Sequence, residues 1–295
     1  MKLGFIGLGA MGRPMALNLL KRGHEMAVYA RRAQSAAPLV EAGARACATP
    51  AEVAANADIV FTMVTTSADV EEVVLGEYGI IRGARPESVL VDMETIAPAV
   101  ARAVAERLAT QGVDMLDAPV SGGPAGAEQA TLSIMAGGHA RVFERVKPLF
   151  ECLGKTIVHM GEHGAGQTTK ACNQLALLVT AQGAAEALTL ARVSGLDPAK
   201  VREVMLGGIA ASRVLDLFGK RMVERDFTAG IEARLYHKDL GIVLALAQGL
   251  GQALPAASLV MQHINAIVGR GEGANDLSVI VKELEPQEPP TVPRA

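Results

Sequence analysis

Lys170, Asn173 and Gln174 lie within the run Gly164-Ala165-Gly166-Gln167-Thr168-Thr169-Lys170-Ala171-Cys172-Asn173-Gln174. On a helix, positions i, i+3 and i+4 share one face. That face continues apolar at Leu177 and Leu178. An ammonium on an apolar surface is costly unless it is paired or at work. A partly desolvated lysine can shift to a pKa of ~7–8 and serve as general acid or base. The competing reading is a lysine that snorkels to water. A second candidate is Asp117-Ala118-Pro119-Val120-Ser121-Gly122-Gly123. Its hydroxyl followed by two glycines offers a side-chain donor and accessible N–H groups, suited to a carboxylate, although an ordinary turn has the same residues.

A third candidate is Gly7-Leu8-Gly9-Ala10-Met11-Gly12, a GxGxxG. Alone this is weak, since roughly 0.3 matches arise by chance at this length and glycine content. Its setting strengthens it, because it follows a β-like run directly and opens a helix continuing to about Arg22. Gly7 permits the tight turn, Gly9 lets backbone approach a pyrophosphate, and Gly12 allows close helix–strand packing. The helix N-terminus then offers N–H groups and a positive dipole end to phosphate. Near the end of the next strand stand Tyr29-Ala30-Arg31-Arg32. NAD binders usually place an acid there for the ribose 2′-OH; two guanidiniums instead favour the 2′-phosphate of NADP, unless they are merely solvated.

Positioning these residues requires alternating strands and helices. Strand-like runs cover Leu3–Gly7, Glu25–Ala30, Asp58–Val64, Ser88–Met93, Val113–Ala118, Leu132–Gly137 and Thr156–Met160. Amphipathic segments lie between them, and Thr49-Pro50-Ala51-Glu52 reads as a helix start. Such alternation implies βαβ units and a mostly parallel sheet. Met63-Val64-Thr65 and Met93-Glu94-Thr95 then end strands on the edge where a dinucleotide lies in a doubly wound fold. From Gly166 onward the periodicity is helical, over Gln167 to about Ser194, then past Asp197-Pro198 to about Glu285. The expected division is 1–163, 164–285 and a tail at 286–295 whose prolines predict disorder.

Composition narrows the function classes. The 295 residues are 50% hydrophobic and 20% charged, enough apolar material for a packed core and against a disordered polymer. Aromatics are 3% and tryptophan is absent, so the core must be aliphatic. A net charge of −3 gives no reason to expect a nucleic-acid or membrane partner. Cys47, Cys152 and Cys172 form no CxxC, which argues against a disulfide framework or zinc site and fits the reducing cytoplasm. His24, His139, His159, His163 and His263 show no metal spacing and read as surface or turn residues, so no metal is expected. Tyr236-His237-Lys238-Asp239-Leu240 places a charged cluster in an apolar helical pattern, more typical of a helix surface than of a site.

Taken together, GFIGLGAMGRPMA, DAPVSGGPAGAEQATLSIMAGG, GAGQTTKACNQ and HKDL resemble the β-hydroxyacid dehydrogenase family over nearly the whole chain. The resemblance implies an α/β chain with an N-terminal Rossmann-type domain, a long inter-domain helix and an all-α C-terminal domain, assembled as a homodimer or homotetramer. It implies a small semialdehyde or hydroxyacid substrate and NADP or NAD as cofactor. Lys170 would be catalytic with Asn173 orienting it, Ser121, Gly122 and Gly123 would hold the substrate carboxylate, and Gln174 would line the substrate. Gly7, Leu8, Gly9, Ala10, Met11, Gly12, Arg31, Arg32, Val64, Thr95 and Lys238 would border the dinucleotide. Gln174 and Glu94 stand where many relatives carry Asn and Ser.

Within the family, VFERVKPLFECLGK and LDPAKVREVMLGGIAASRVLD resemble the branch acting on tartronate semialdehyde. The implied reaction is NAD(P)H-dependent reduction of tartronate semialdehyde to glycerate. The alternatives are another short substrate, such as 3-hydroxyisobutyrate or succinic semialdehyde, or a non-catalytic scaffold, against which the presence of Lys170 argues.

Overall fold

The computed structural model describes residues 1–285, so the expectation of a disordered tail at 286–295 lies outside the described residues. Two compact units follow one another along the chain, Met1–Lys170 and Ala171 onward.

The first unit alternates strands and helices. In order they are β1 (Lys2–Ile6), α1 (Gly12–Leu20), β2 (Glu25–Tyr29), α2 (Ala37–Glu41), β3 (Arg45–Ala46), α3 (Pro50–Ala55), β4 (Ile59–Thr62) and α4 (Ser67–Leu75). Then come β5 (Val89–Asp92), α5 (Pro98–Ala109), β6 (Asp114–Asp117), β7 (Val120–Ser121), α6 (Gly123–Glu128), β8 (Leu132–Gly137), α7 (Ala140–Phe150) and β9 (Gly154–Gly161). The sheet runs β3-β2-β1-β4-β5-β6-β8-β7, with β9 beside β8. It is parallel from β3 to β6, and β8 is antiparallel to both β6 and β7. The order 3-2-1-4-5-6 is that of a Rossmann fold, in which strand order reverses between β1 and β4.

Both faces of this sheet are covered, so its central strands β4 and β5 are buried along their whole length, and they are apolar up to their last residues, Thr62 and Asp92. Phe5, Phe61 and Val91 point into one core layer, while Ile6, Val60 and Leu90 point into the other. Burying each such side chain is worth about 1.5–3 kcal/mol. The helix-start reading at Thr49 holds: its hydroxyl accepts the Glu52 N–H at 3.1 Å, while the Glu52 carboxylate accepts from Ala48 N–H at 2.8 Å. The two-residue strands β3 and β7 are too short to show a period-2 pattern and escape a sequence reading.

The helix α8 (Ala165–Val193) begins in the first unit and continues into the second. The second unit adds α9 (Pro198–Leu206), α10 (Arg213–Glu224), α11 (Ala233–Gly249), α12 (Pro255–Gly269) and a 3-10 stretch at Leu277–Leu284. Asp197 caps α9, accepting the Ala199 N–H at 2.8 Å. Among its described residues this unit has no strand beyond an isolated bridge, Glu232 to Asp276. By length and composition α8 would suffice to cross a membrane. Its Leu178, Ala181, Ala185 and Leu188 pack instead with Leu240, Val243, Ile264 and Ile280 in an aliphatic core.

Candidate active site

The glycine loop sits at the point where strand order reverses. Gly7 has φ +93°, and a Cβ there would lie 2.2 Å from the Met63 carbonyl oxygen. A Cβ on Gly12 would lie 1.9 Å from the Gly7 carbonyl oxygen. Both positions therefore exclude every side chain. A Cβ on Gly9 would meet nothing within 4 Å, so the backbone there faces open space. No side chain caps the first turn of α1. An uncapped helix start behind an open glycine is an anion seat, and these residues fit a dinucleotide pyrophosphate. Leu8 buries its side chain in the core, while Ala10 is exposed and Met11 packs partly against that core.

Arg31 and Arg32 follow β2 and are exposed. Arg31 is not without an acid: Asp69 of α4 lies 3.7 Å from its Nη1. Beside it opens a cavity of about 550 Å³ lined by residues including Tyr29, Arg31, Val40 and Cys47. Val64 and Thr95 follow β4 and β5 at the same carboxyl edge, both half-buried.

Beneath that edge lie two buried carboxyls on neighbouring strands, Asp92 and Asp117. The Thr62 hydroxyl donates to Asp92 Oδ1 at 2.8 Å. Burial pushes Asp92 up to about 8; the Thr62 bond opposes this, and the charges of Glu94 and Asp117 add to it. Burial also raises Asp117, held back by two backbone N–H groups that it accepts. These are Gly164 N–H to Oδ1 at 2.8 Å and Gln167 N–H to Oδ2 at 2.9 Å. Asp117 thereby holds the start of α8. A Cβ on Gly166 would lie 2.3 Å from the Asp117 carbonyl oxygen, so α8 can seat there only through glycine.

Lys170 lies on that first stretch of α8 and is 7% exposed, which excludes the snorkelling alternative. Its Nζ donates to the Val120 carbonyl at 2.7 Å. Val120 is followed by Ser121, Gly122 and Gly123, the last two at φ +141° and +63°. Positive φ at successive glycines turns the backbone so that α6 starts directly behind the hydroxyl. Lys170 is therefore bonded, within one unit, to the residue that directly precedes the Ser121 hydroxyl.

In the second unit Asn173 donates from Nδ2 to Gln174 Oε1 at 2.9 Å, and Gln174 donates from Nε2 to Asp239 Oδ2 at 2.6 Å. Lys238 Nζ stands 3.3 Å from the other Asp239 oxygen. The HKDL cluster on α11 is thus more than a solvated face, because Asp239 is buried and gathers Asn173, Gln174 and Lys238 into one network. Four of the five histidines read as surface or turn residues are also engaged: His159 bonds the Gly138 carbonyl at 2.7 Å, His163 the Met115 carbonyl at 3.0 Å and His263 the Gln182 amide at 2.9 Å, while His139 stands 3.3 Å from Glu162.

Sequence reasoning passed over Asp92, Asp239, Asn18 and Gln167. Asn18 donates to the Ala127 carbonyl at 2.8 Å and so ties α1 to α6. Gln167 stands three residues before Lys170 on the same helix face, a spacing that would have flagged it.

Comparison with known proteins agrees with this geometry. Residues 2–161 match the family model for the NAD-binding domain of 6-phosphogluconate dehydrogenase. Residues 164–284 match the model for the NAD-binding region of NADP-dependent 3-hydroxyisobutyrate dehydrogenase. The chain is 42% identical to 2-hydroxy-3-oxopropionate reductase of Escherichia coli K12, covering 97% of each protein. It is 39% identical to 3-hydroxyisobutyrate dehydrogenase of Pseudomonas aeruginosa, over 87% of this chain and 89% of that one. The crystal structure of 3-hydroxyisobutyrate dehydrogenase from Salmonella typhimurium matches with a TM-score of 0.88 at 30% identity, covering 96% of this chain and 99% of that one. A nicotinamide cofactor and a small hydroxyacid substrate follow, and the chain belongs to the β-hydroxyacid dehydrogenase family as an NAD(P)-dependent oxidoreductase.

Proposed function

We propose that this enzyme reduces tartronate semialdehyde to glycerate with NADPH, Lys170 acting as general acid. The observation that carries the reading is the buried Lys170 Nζ, held 2.7 Å from the Val120 carbonyl just before the Ser121–Gly123 loop. The substrate follows the 42% identity to a 2-hydroxy-3-oxopropionate reductase. NADPH, when bound, supplies the hydride. Lys170 donates a proton from Nζ to the oxygen of the aldehyde as that carbon is reduced, and in the reverse direction takes it back. Ser121, Gly122 and Gly123 hold the substrate carboxylate through the hydroxyl and backbone N–H groups. Asn173 and Gln174, locked to Asp239, shape the substrate end, and Lys238 serves the cofactor. Residues 1–163 form the dinucleotide-binding domain and 164–285 the helical one. The free thiols favour the cytoplasm, and the family resemblance a homodimer or homotetramer.

The test is NADPH oxidation against tartronate, methylmalonate and succinic semialdehydes. The highest kcat/KM is expected for tartronate semialdehyde, and a higher value for either of the others overturns the substrate. Arg31 and Arg32 are expected to bind the 2′-phosphate. Replacing both with Ala should cut the preference for NADPH over NADH by about tenfold to a hundredfold, the usual worth of charge-assisted bonds. A parent enzyme that prefers NADH refutes that role.

A further inference from the structure

The side chain of Gln167 takes no part in the chemistry above, yet it is 1% exposed and both ends of its amide are engaged. Oε1 accepts the Ile96 N–H at 3.1 Å, and Nε2 donates to the Glu94 carbonyl at 2.7 Å. One planar amide thus matches the acceptor and donor that flank Thr95. The seating of α8 does not need this contact, because Asp117 already accepts the N–H groups of Gly164 and Gln167. Three residues on, about one turn of helix, Lys170 reaches the Val120 carbonyl. The loop after β5 and the start of β7 are therefore both fastened to the opening turns of one helix.

We propose that Gln167 is a positioning residue: it holds the Glu94–Ile96 loop in register with Lys170, so that the nicotinamide edge bordered by Thr95 and the proton donor keep a fixed separation. The inference rests on the reading of Lys170 as general acid and of Thr95 as a cofactor neighbour. Leucine at 167 would fill the space and lose both bonds. Glutamate would keep the acceptor for Ile96 N–H but set a carboxylate oxygen against the Glu94 carbonyl.

The experiment compares Gln167→Leu, Gln167→Glu and Lys170→Ala in the full-length enzyme, using the semialdehyde of highest kcat/KM. For Gln167→Leu the expected result is a fall in kcat of roughly 30-fold to 100-fold, the scale of an ångström-level misplacement of reacting groups. NADPH affinity, titrated without aldehyde, should stay within about threefold, since the side-chain hydrogen bonds of Gln167 go to Glu94 and Ile96 and not to the glycine loop that would seat the pyrophosphate. The primary isotope effect with 4-deuterated NADPH should rise as hydride transfer becomes the slow step, a readout that lost stability would not move. Gln167→Glu should lose at least as much as Gln167→Leu, because its buried carboxylate oxygen opposes the Glu94 carbonyl. The inference is overturned if a folded variant keeps kcat within threefold of the parent, or if its loss of kcat is matched by lost NADPH affinity. Failure of both variants to fold makes Gln167 a structural residue and overturns it as well. An active Lys170→Ala brings down the lysine reading and this inference together. An inactive Lys170→Ala beside normal Gln167 variants brings down this inference alone.

Discussion

The glycine loop at residues 7–12 and the junction of Asp117 with α8 reach the same sheet edge by opposite means. The first is shaped by what is missing: Gly7 and Gly12 have no room for a Cβ, and Gly9 leaves backbone bare. The second is shaped by buried polar side chains, with Asp117, Gln167 and Lys170 each bonded to backbone atoms distant in sequence. A ligand seat made from backbone needs only sterics, whereas a reactive amine must be desolvated and aimed, which requires partners.

The largest effect should come from the second region. Lys170→Ala is expected to lower kcat by about 10²-fold to 10⁴-fold, the range for one general acid, while NADPH binding by fluorescence titration stays intact. Near-normal turnover would leave the junction as mere scaffolding. The first region should separate within itself. Gly12→Ala forces a Cβ against the Gly7 carbonyl and should destabilise the fold by about 1–3 kcal/mol, the usual overpacking cost. Gly9→Ala should keep the parent Tm yet weaken NADPH roughly tenfold, because its methyl enters the space a pyrophosphate needs. Equal losses of Tm in the two variants would erase the distinction.

The smallest effect concerns Asp92. Its carboxyl titrates near 8 in the fold against an ordinary 3.8, so the native state holds a proton that the unfolded chain gives up. Native stability is full below the unfolded value and declines as pH rises toward 8. Asp92→Asn, which keeps an acceptor for Thr62, should flatten Tm against pH between about 5 and 8. Asp117, raised in the same direction, leaves a residual slope. A variant with an unchanged slope would remove Asp92 as its source.

The contrast also explains what could be read before any coordinates. Seven strands, the helix at Lys170 and the glycine turn rest on local patterns: period two, period 3.6, and glycine spacing. Lys170 was legible because one charge interrupts an apolar face. Gln167 and Asp117 were not, because their partners lie 47 to 73 residues away. A buried amide and a surface amide look alike in one dimension. The same holds for Asp239, whose meeting with Gln174 spans 65 residues.

The carboxyl pair beneath the sheet edge has a consequence for calorimetry. With Asp92 protonated in the fold at neutral pH, melting the protein discharges about one hydrogen ion into the medium. The apparent enthalpy of melting then carries the buffer's own heat of ionisation. Scans in phosphate and in Tris would therefore disagree, and Asp92→Asn should narrow the difference, Asp117 supplying part of what remains.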